Sequence, residues 1–192
     1  KCSKCETPNF IPYKVASYWL FLPLGGGGMG RVYRAMDEKG KADYALKLLP
    51  GRAKASQNLI DNMLKEAEAG KSLGTHKNII SIIDYGNSSG DVFIVAEFVQ
   101  GERLDHLIES KRQFQEKATI ECALQIIDAE THILSKGYLY RDLKPENIKL
   151  TRDGHVKILD YGLSKIIDYS SITQTGQPIG TYFYMSPEQI KG

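Results

Sequence analysis

Cysteine, net charge and long apolar runs are scarce in this sequence, and each scarcity excludes a class of protein. Three cysteines, an odd number, make a poor disulfide framework and favour a reducing compartment such as the cytoplasm. A formal net charge of +2 over 192 residues indicates neither a nucleic-acid groove nor a surface for anionic membranes. No apolar run approaches the roughly 18–20 residues that span a bilayer. We therefore expect a cytoplasmic globular protein.

The order of apolar and turn residues predicts two halves of different character. Short apolar runs separated by turns predict strands over residues 13–49, and further strands are predicted at 79–85 and 92–99. Apolar residues at helical spacing predict a helix over 56–73 and a longer one over 117–136. The sequence thus predicts an α+β protein, with a mostly β half followed by a more helical half.

A glycine-rich segment lies between two predicted strands. It contains the pattern G-x-G-x-x-G-x-V, with glycines at Gly25, Gly27 and Gly30 and a valine at Val32. Glycines let backbone N–H groups approach phosphates without interference from a Cβ atom. The same run is equally typical of a flexible turn. Strands on both sides argue against a dinucleotide-binding turn, which runs from a strand into a helix.

A lysine stands inside the apolar strand Tyr44 to Leu49. Burying an ammonium group alone is unfavourable, so Lys47 needs an acidic partner or an anion, unless it reaches solvent from an edge strand. The helix that follows offers both Glu66 and Glu68 as partners.

The segment Tyr140 to Asn147 concentrates the groups with the clearest chemistry. A carboxylate (Asp142), an ammonium group (Lys144) and a carboxamide (Asn147) can reach one site from one loop. The carboxylate can accept a hydroxyl proton, and the carboxamide oxygen can bind Mg²⁺ together with Asp160, which follows the next apolar stretch.

Taken in order, these motifs make residues 13–192 resemble the protein kinase family. The match includes the glycine-rich loop, the strand lysine, the catalytic loop, Asp160-Tyr161-Gly162 and Ser186-Pro187-Glu188. The amino-acid sequence of the catalytic loop is similar to that of the prokaryotic branch of the family. Lys144 within that loop resembles the serine/threonine branch. The resemblance implies a bilobal α+β fold. Its N-lobe, about 13–99, has a five-stranded antiparallel sheet plus helix C, and its incomplete, mostly helical C-lobe occupies about 100–192.

The resemblance also implies a role for each motif residue. Lys47 would contact the ATP phosphates and pair with Glu66, Asp142 would accept or orient the substrate hydroxyl, and Lys144 would neutralise the transferring phosphoryl group. Asn147 and Asp160 would hold Mg²⁺, with Mn²⁺ as the alternative. The implied contacts to ATP are Leu24, Gly25, Gly26, Gly27, Gly28, Met29, Gly30, Arg31, Val32, Ala45, Lys47, Glu97, Val99 and Glu102. Lys149 falls at the floor of the adenine site, where its aliphatic stem would serve. The implied partners are ATP and proteins that bear serine or threonine.

Residues 163–179 correspond to the activation loop of that family. The loop holds four hydroxyl residues, Ser170, Ser171, Thr173 and Thr175, and Arg141 is the kind of residue that pairs with a loop phosphate. We expect phosphorylation of this loop to regulate activity.

Several features depart from the family pattern. Tyr140 replaces the common histidine, Tyr161 replaces the common phenylalanine, and Gly70 weakens the predicted helix C. The sequence ends shortly after Glu188, so a fragment or a truncated product is expected. The alternatives are an ATP-binding pseudokinase scaffold, an inactive kinase fragment, and a small-molecule phosphotransferase of related fold.

The first twelve residues form either a tail or half of a zinc ribbon. Cys2 and Cys5 supply one Cys-x-x-Cys pair, whereas tetrahedral Zn²⁺ takes four ligands. We expect zinc there only if a second pair lies outside this chain.

Overall fold

The computed structural model describes residues 11–27, 30–40, 42–49, 57–110, 113–160, 165–166 and 182–188. These residues divide into two compact units, made of the described parts of Lys1–Lys65 with Ile82–Phe98, and of Glu66–Ser81 with Val99–Gly192. Within the described ranges, no helix has both the length and the apolar character needed to cross a membrane.

The first unit contains one antiparallel sheet. Its strands are β1 (Tyr13–Val15), β2 (Tyr18–Gly27), β3 (Gly30–Asp37), β4 (Asp43–Leu49), β5 (Ile82–Ser88) and β6 (Asp91–Glu97). They lie in the order β1-β2-β3-β4-β6-β5. Residues at alternate positions, such as Leu20, Ala35, Leu46 and Val95, are fully buried and form the core of one face. Because successive side chains of a strand point to opposite faces, apolar residues at every second position give the sheet one apolar face.

The sheet has six strands among the described residues, where the family resemblance implies five. The additional strand is β1, which pairs with the start of β2 through a turn in which Ala16 has a φ of 52°. Val15 anchors this short strand because its side chain is buried in the same core. Three residues with one buried side chain give too little pattern for a separate strand to be predicted. The α+β class is confirmed, and the strand count is corrected.

The helix predicted over 56–73 is α1 (Gln57–Ser72). It runs without interruption through Gly70, and the boundary between the two units falls between Lys65 and Glu66. Its buried positions include Met63, Ala67 and Ala69, which lie within one to two helical turns of each other.

The second unit holds two further helices and short strands. They are β7 (Glu102–Arg103), α2 (Leu104–Glu109), α3 (Glu116–Ser135), β8 (Tyr138–Leu139), β9 (Ile148–Leu150), β10 (Val156–Ile158) and β11 (Lys165–Ile166), with 3₁₀ turns at Pro145–Asn147 and Tyr182–Tyr184. Strands β10, β9 and β7 form one small sheet, and β11 pairs with β8. The segment after α1 joins the small sheet, because Ile80 N–H donates to the Ile158 carbonyl over 2.9 Å.

Candidate active site

The loop between β8 and β9 gathers three of the predicted catalytic and metal-binding side chains. The Lys144 Nζ atom lies 2.8 Å from the Asp142 Oδ2 atom, and the two side chains are 21% and 17% exposed. Pro145 begins the 3₁₀ turn, and the Asn147 N–H closes it by donating to the Lys144 carbonyl over 3.0 Å. The turn therefore holds Asn147 beside the ion pair.

Asn147 is buried and oriented by Asp142. Its Nδ2 atom donates to the Asp142 carbonyl oxygen over 2.9 Å and to the Asp142 Oδ2 atom over 3.0 Å. The carboxamide oxygen is therefore the branch turned away from Asp142. An oxygen in that position is suited to bind a hard cation such as Mg²⁺.

Asp160 follows β10 and is half-buried. The residue before it is tied to the catalytic loop, since the Leu159 N–H donates to the Asn147 carbonyl over 2.9 Å. Tyr161 and Gly162, which complete the predicted motif, lie outside the described residues, as do the four hydroxyl residues of the predicted activation loop and the cysteines Cys2 and Cys5.

Tyr140 lies beside these groups and is largely buried. Burial raises the pKa of its hydroxyl, and the charges of Asp160 and then Asp142 raise that pKa further. The Asn147 carboxamide acts on the pKa in the opposite direction but does not meet hydrogen-bond geometry with the hydroxyl. Among the described residues Tyr140 Oη thus has no hydrogen-bond partner, which costs about 1–3 kcal/mol for a buried polar group.

The glycine-rich segment of the first unit forms the facing ends of β2 and β3. Gly25 pairs with Val32 and Gly26 pairs with Arg31, while Gly28 and Met29 lie outside the described residues. Gly30 has a φ of 117°, and a Cβ atom there would lie 2.7 Å from the Leu48 carbonyl oxygen. Only glycine fits such a position. The segment therefore joins two paired strands, as predicted, rather than a strand and a helix.

Lys47 shares one face of the first sheet with two predicted ATP contacts. Val32 on β3 lies directly opposite Lys47 on β4, and Ala45 is two residues before Lys47 on the same strand. All three are half-buried, whereas Leu46 and Leu48 between and beyond them are buried on the opposite face. Glu66, the predicted partner of Lys47, is half-buried on α1 in the second unit, so their pairing stays a prediction.

Three further predicted ATP contacts lie at strand ends or at a register shift. Leu24 is exposed at a register shift in β2, Glu97 ends β6, and Glu102 begins β7 opposite Leu150. Within the described part of the chain, no three His, Cys, Asp or Glu side chains are arranged as a metal site. A cation at this loop would therefore depend on Asn147, Asp160 and oxygens supplied by its ligand.

Comparison with known proteins decides the family. The family model described as "Protein kinase domain" matches residues 18–192.

This chain belongs to the protein kinase family.

Relatives with curated names include bacterial serine/threonine-protein kinases. The chain is 33% identical over 175 residues to PrkC of Bacillus subtilis, and 33% identical over 175 residues to a probable serine/threonine-protein kinase of Clostridium perfringens. It is also 33% identical over 175 residues to PknD of Mycobacterium tuberculosis. Each alignment covers 91% of this chain, but 27%, 25% and 26% of the respective relative. The chain thus spans about a quarter of the length of the curated relatives it matches.

One contact of the second unit, between Lys149 and Val99, could not be predicted from the sequence. Lys149 on β9 donates from its Nζ atom to the Val99 carbonyl over 3.0 Å, so its charged end is used as well as its stem. Burial lowers the pKa of Lys149, and the charge of Arg103 lowers it further. Arg103 and Lys157 flank Lys149 on the neighbouring strands, which makes a row of three cations across the small sheet. The only signal in the sequence is a lysine between the apolar Ile148 and Leu150.

Proposed function

We propose that this chain binds ATP with Mg²⁺ and transfers the γ-phosphoryl group to serine or threonine hydroxyls of proteins. The observation that carries the proposal is the cluster of Asp142, Lys144 and Asn147, joined by contacts of 2.8 and 3.0 Å within one loop. A carboxylate, an ammonium group and an amide held together in this way can serve a reaction in which a hydroxyl attacks an anionic phosphoryl group.

In the proposed reaction, Asp142 orients the substrate hydroxyl and accepts its proton. The hydroxyl oxygen forms a bond to the γ-phosphorus while the bond from that phosphorus to the β–γ bridging oxygen breaks, and ADP leaves with the electron pair. Lys144, already within contact of Asp142, would neutralise charge on the transferring group. Positioning and charge neutralisation supply the rate enhancement, because no covalent intermediate with the protein is needed.

The carboxamide oxygen of Asn147 and the carboxylate of Asp160 are the proposed Mg²⁺ ligands. The residues fit this cation because both ligands are hard oxygens and because the Asn147 nitrogen is already engaged by Asp142. When bound, Mg²⁺ supplies charge neutralisation at the phosphate oxygens.

The first unit would supply the nucleotide contacts. We propose that the glycine segment covers the phosphates, that Leu24, Val32 and Ala45 cover the adenine ring, and that Lys47 contacts the phosphates and pairs with Glu66. The Glu97 carbonyl and the Val99 backbone would hydrogen-bond the base, and Glu102 would reach the ribose. Lobes at about 13–99 and 100–192, a signalling role and a cytoplasmic location belong to the same proposal.

Mass spectrometry after incubation with Mg²⁺ and ATP tests the proposal. The expected result is phosphate on serine or threonine residues of the wild-type protein, including residues within 163–179, and none on the Asp160→Asn variant. Absence of phosphate in the wild type, together with a rise in melting temperature on adding Mg²⁺ and ATP, would contradict phosphoryl transfer and favour a nucleotide-binding scaffold.

A further inference from the structure

The hydroxyl of Tyr140 has no part in the reaction proposed above, although it lies among the residues that would perform it. Its Oη atom is buried, and among the described residues nothing accepts or donates a hydrogen bond to it. An aromatic ring without a hydroxyl group would fill the same space. Burying an unpaired hydroxyl is unfavourable, so the presence of the oxygen requires an explanation.

The charges of three carboxylates, Asp160, Asp142 and Glu130, and the carboxamide of Asn147 all act on the pKa of the hydroxyl. Asp142 is already engaged, because its Oδ2 atom accepts from both Lys144 Nζ and Asn147 Nδ2. Of the three carboxylates, Asp160 raises the pKa of Tyr140 the most and Glu130 the least. A carboxylate has about four lone-pair sites, so Asp160 can accept a further donor while it also binds a cation.

The backbone keeps Asp160 within this cluster. The hydrogen bond from Leu159 N–H to the Asn147 carbonyl, at 2.9 Å, attaches the residue before Asp160 to the loop that contains Tyr140. The side chain of Asp160 can therefore change rotamer while the main chain before it stays attached to this loop. The hydroxyl and the carboxylate are a donor and an acceptor placed near each other on two fixed segments.

We propose that Tyr140 is a positioning residue whose hydroxyl donates a hydrogen bond to the Asp160 carboxylate when Asp160 holds the cation that accompanies the nucleotide. This inference rests on the proposed function, since it assumes that Asp160 is a metal ligand. A donor on one carboxylate oxygen orients the other oxygen toward the cation. Groups that orient metal ligands in this way commonly affect metal affinity about 10–100-fold when they are removed.

The variant Tyr140→Phe removes only the hydroxyl and keeps the ring. Its matched control is Tyr18→Phe, which removes a hydroxyl that donates to the Asp84 carboxylate over 3.2 Å within the first unit. For each protein, the melting temperature at a fixed ATP concentration is measured over a Mg²⁺ series. The phosphorylation rate is measured over the same series.

For Tyr140→Phe, the Mg²⁺ concentration that gives half the ATP-induced stabilisation is expected to rise about tenfold. The melting temperature without ligand should stay unchanged or rise, because no hydrogen bond is lost. Phosphorylation should need correspondingly more Mg²⁺, with a smaller change at saturating Mg²⁺. Tyr18→Phe should show the wild-type Mg²⁺ dependence.

A wild-type Mg²⁺ dependence in Tyr140→Phe would overturn the inference and leave the proposed function standing. A lower melting temperature without any change in Mg²⁺ dependence would also overturn it, since the hydroxyl would then be purely structural. If the wild-type protein itself shows no Mg²⁺-dependent stabilisation by ATP, the proposed function fails first, and that result is visible without any variant.

Discussion

Asn78 illustrates how one polar side chain can organise a buried junction. It is completely buried, and its Nδ2 atom donates to the Gln125 Oε1 atom and to the Val156 carbonyl, each over 2.9 Å. Its own carbonyl accepts from the Ile158 N–H over 2.9 Å. The side chain thus connects the segment after α1 with α3 and β10, because three elements share its hydrogen bonds.

Replacing Asn78 with alanine is expected to lower the free energy of unfolding by about 2–3 kcal/mol, since the Val156 carbonyl would be left buried and unpaired. Chemical denaturation of the variant checks this value. Asn87→Ala is the matched control, because Asn87 is an exposed residue near the end of β5 whose side-chain oxygen accepts a hydrogen bond from Gly90 N–H. The control should cost about 0.5 kcal/mol. Equal losses in the two variants would contradict the role given to Asn78.

Local spacing in the sequence predicts some contacts between residues of the candidate site but not others. The spacing of Asp142, Lys144 and Asn147 predicts that they share one site, and the structure brings them together because one short loop carries all three. The contact between Lys149 and the Val99 carbonyl joins residues 50 positions apart. Such a contact depends on how β9 packs, which local pattern does not encode.

At the scale of elements, the segment after α1 contacts α3 through two stacked imidazole rings. The rings of His76 and His132 are 4.7 Å apart with an interplanar angle of 25°. His132 Nε2 lies 2.8 Å from the Leu73 carbonyl, which can only accept, so this nitrogen carries the proton. His76 Nδ1 accepts from the Asn78 N–H over 3.2 Å. Protonation of His76 would therefore remove the acceptor that holds the Asn78 backbone.

Burial and then His132 lower the pKa of His76, and Lys77 and Lys157 act in the same direction while Asp128 opposes them. The folded chain therefore binds this proton less readily than the unfolded chain. The contribution of neutral His76 to the free energy of unfolding is fully present above the ordinary histidine pKa of about 6.5. This contribution is lost as the pH falls below that value toward the lowered pKa of the folded chain.

We therefore expect the free energy of unfolding to fall between pH 7 and pH 5.5, and to fall less in His76→Gln than in the wild type. Denaturant unfolding at several pH values measures both. His155→Gln, which changes an exposed histidine outside this contact, is the control. Parallel curves for the wild type and His76→Gln would refute the assignment to His76.

A glycine substitution in β3 tests how closely the backbones of β3 and β4 approach each other. Gly30→Ala places a Cβ atom 2.7 Å from a backbone oxygen at a φ of 117°, so backbone must move. The expected loss is about 2–4 kcal/mol of unfolding free energy. Gly90 has a φ of 89° but open space around its Cβ position, so Gly90→Ala should cost only the backbone strain, about 1–2 kcal/mol. Thermal unfolding of both variants separates the clash from the strain.

At the scale of the whole molecule, the predicted class and the order of its halves are confirmed, while the element edges differ by a few residues. The predicted helix at 117–136 is α3 (Glu116–Ser135), but the strand predicted from Ile79 begins at Ile82. Residues 78–80 instead hydrogen-bond to β10 in the second unit. An apolar run alone does not reveal which of two sheets it will join, because both partners are distant in sequence.

Binding of ATP with Mg²⁺ should stabilise the whole chain against heat. A ligand present at 100 times its dissociation constant adds about 2.7 kcal/mol, and each kcal/mol raises the melting temperature by about 2–4 °C in a chain of this size. Lys47→Met should reduce this shift by removing the proposed phosphate contact. Thermal unfolding with and without ligand measures the difference. An equal shift in Lys47→Met would argue against a role for Lys47 in nucleotide binding.

The amide at Asn147 has a consequence for the acid–base behaviour of the loop. Its nitrogen lies 3.0 Å from an oxygen of Asp142, so an aspartate at position 147 would place two carboxylates at hydrogen-bonding distance. The two like charges would repel, so one of the two carboxylates would hold its proton to a higher pH than it would alone. Cation binding would then compete with proton binding. With a carboxamide, the loop can receive a metal ion without first releasing a proton.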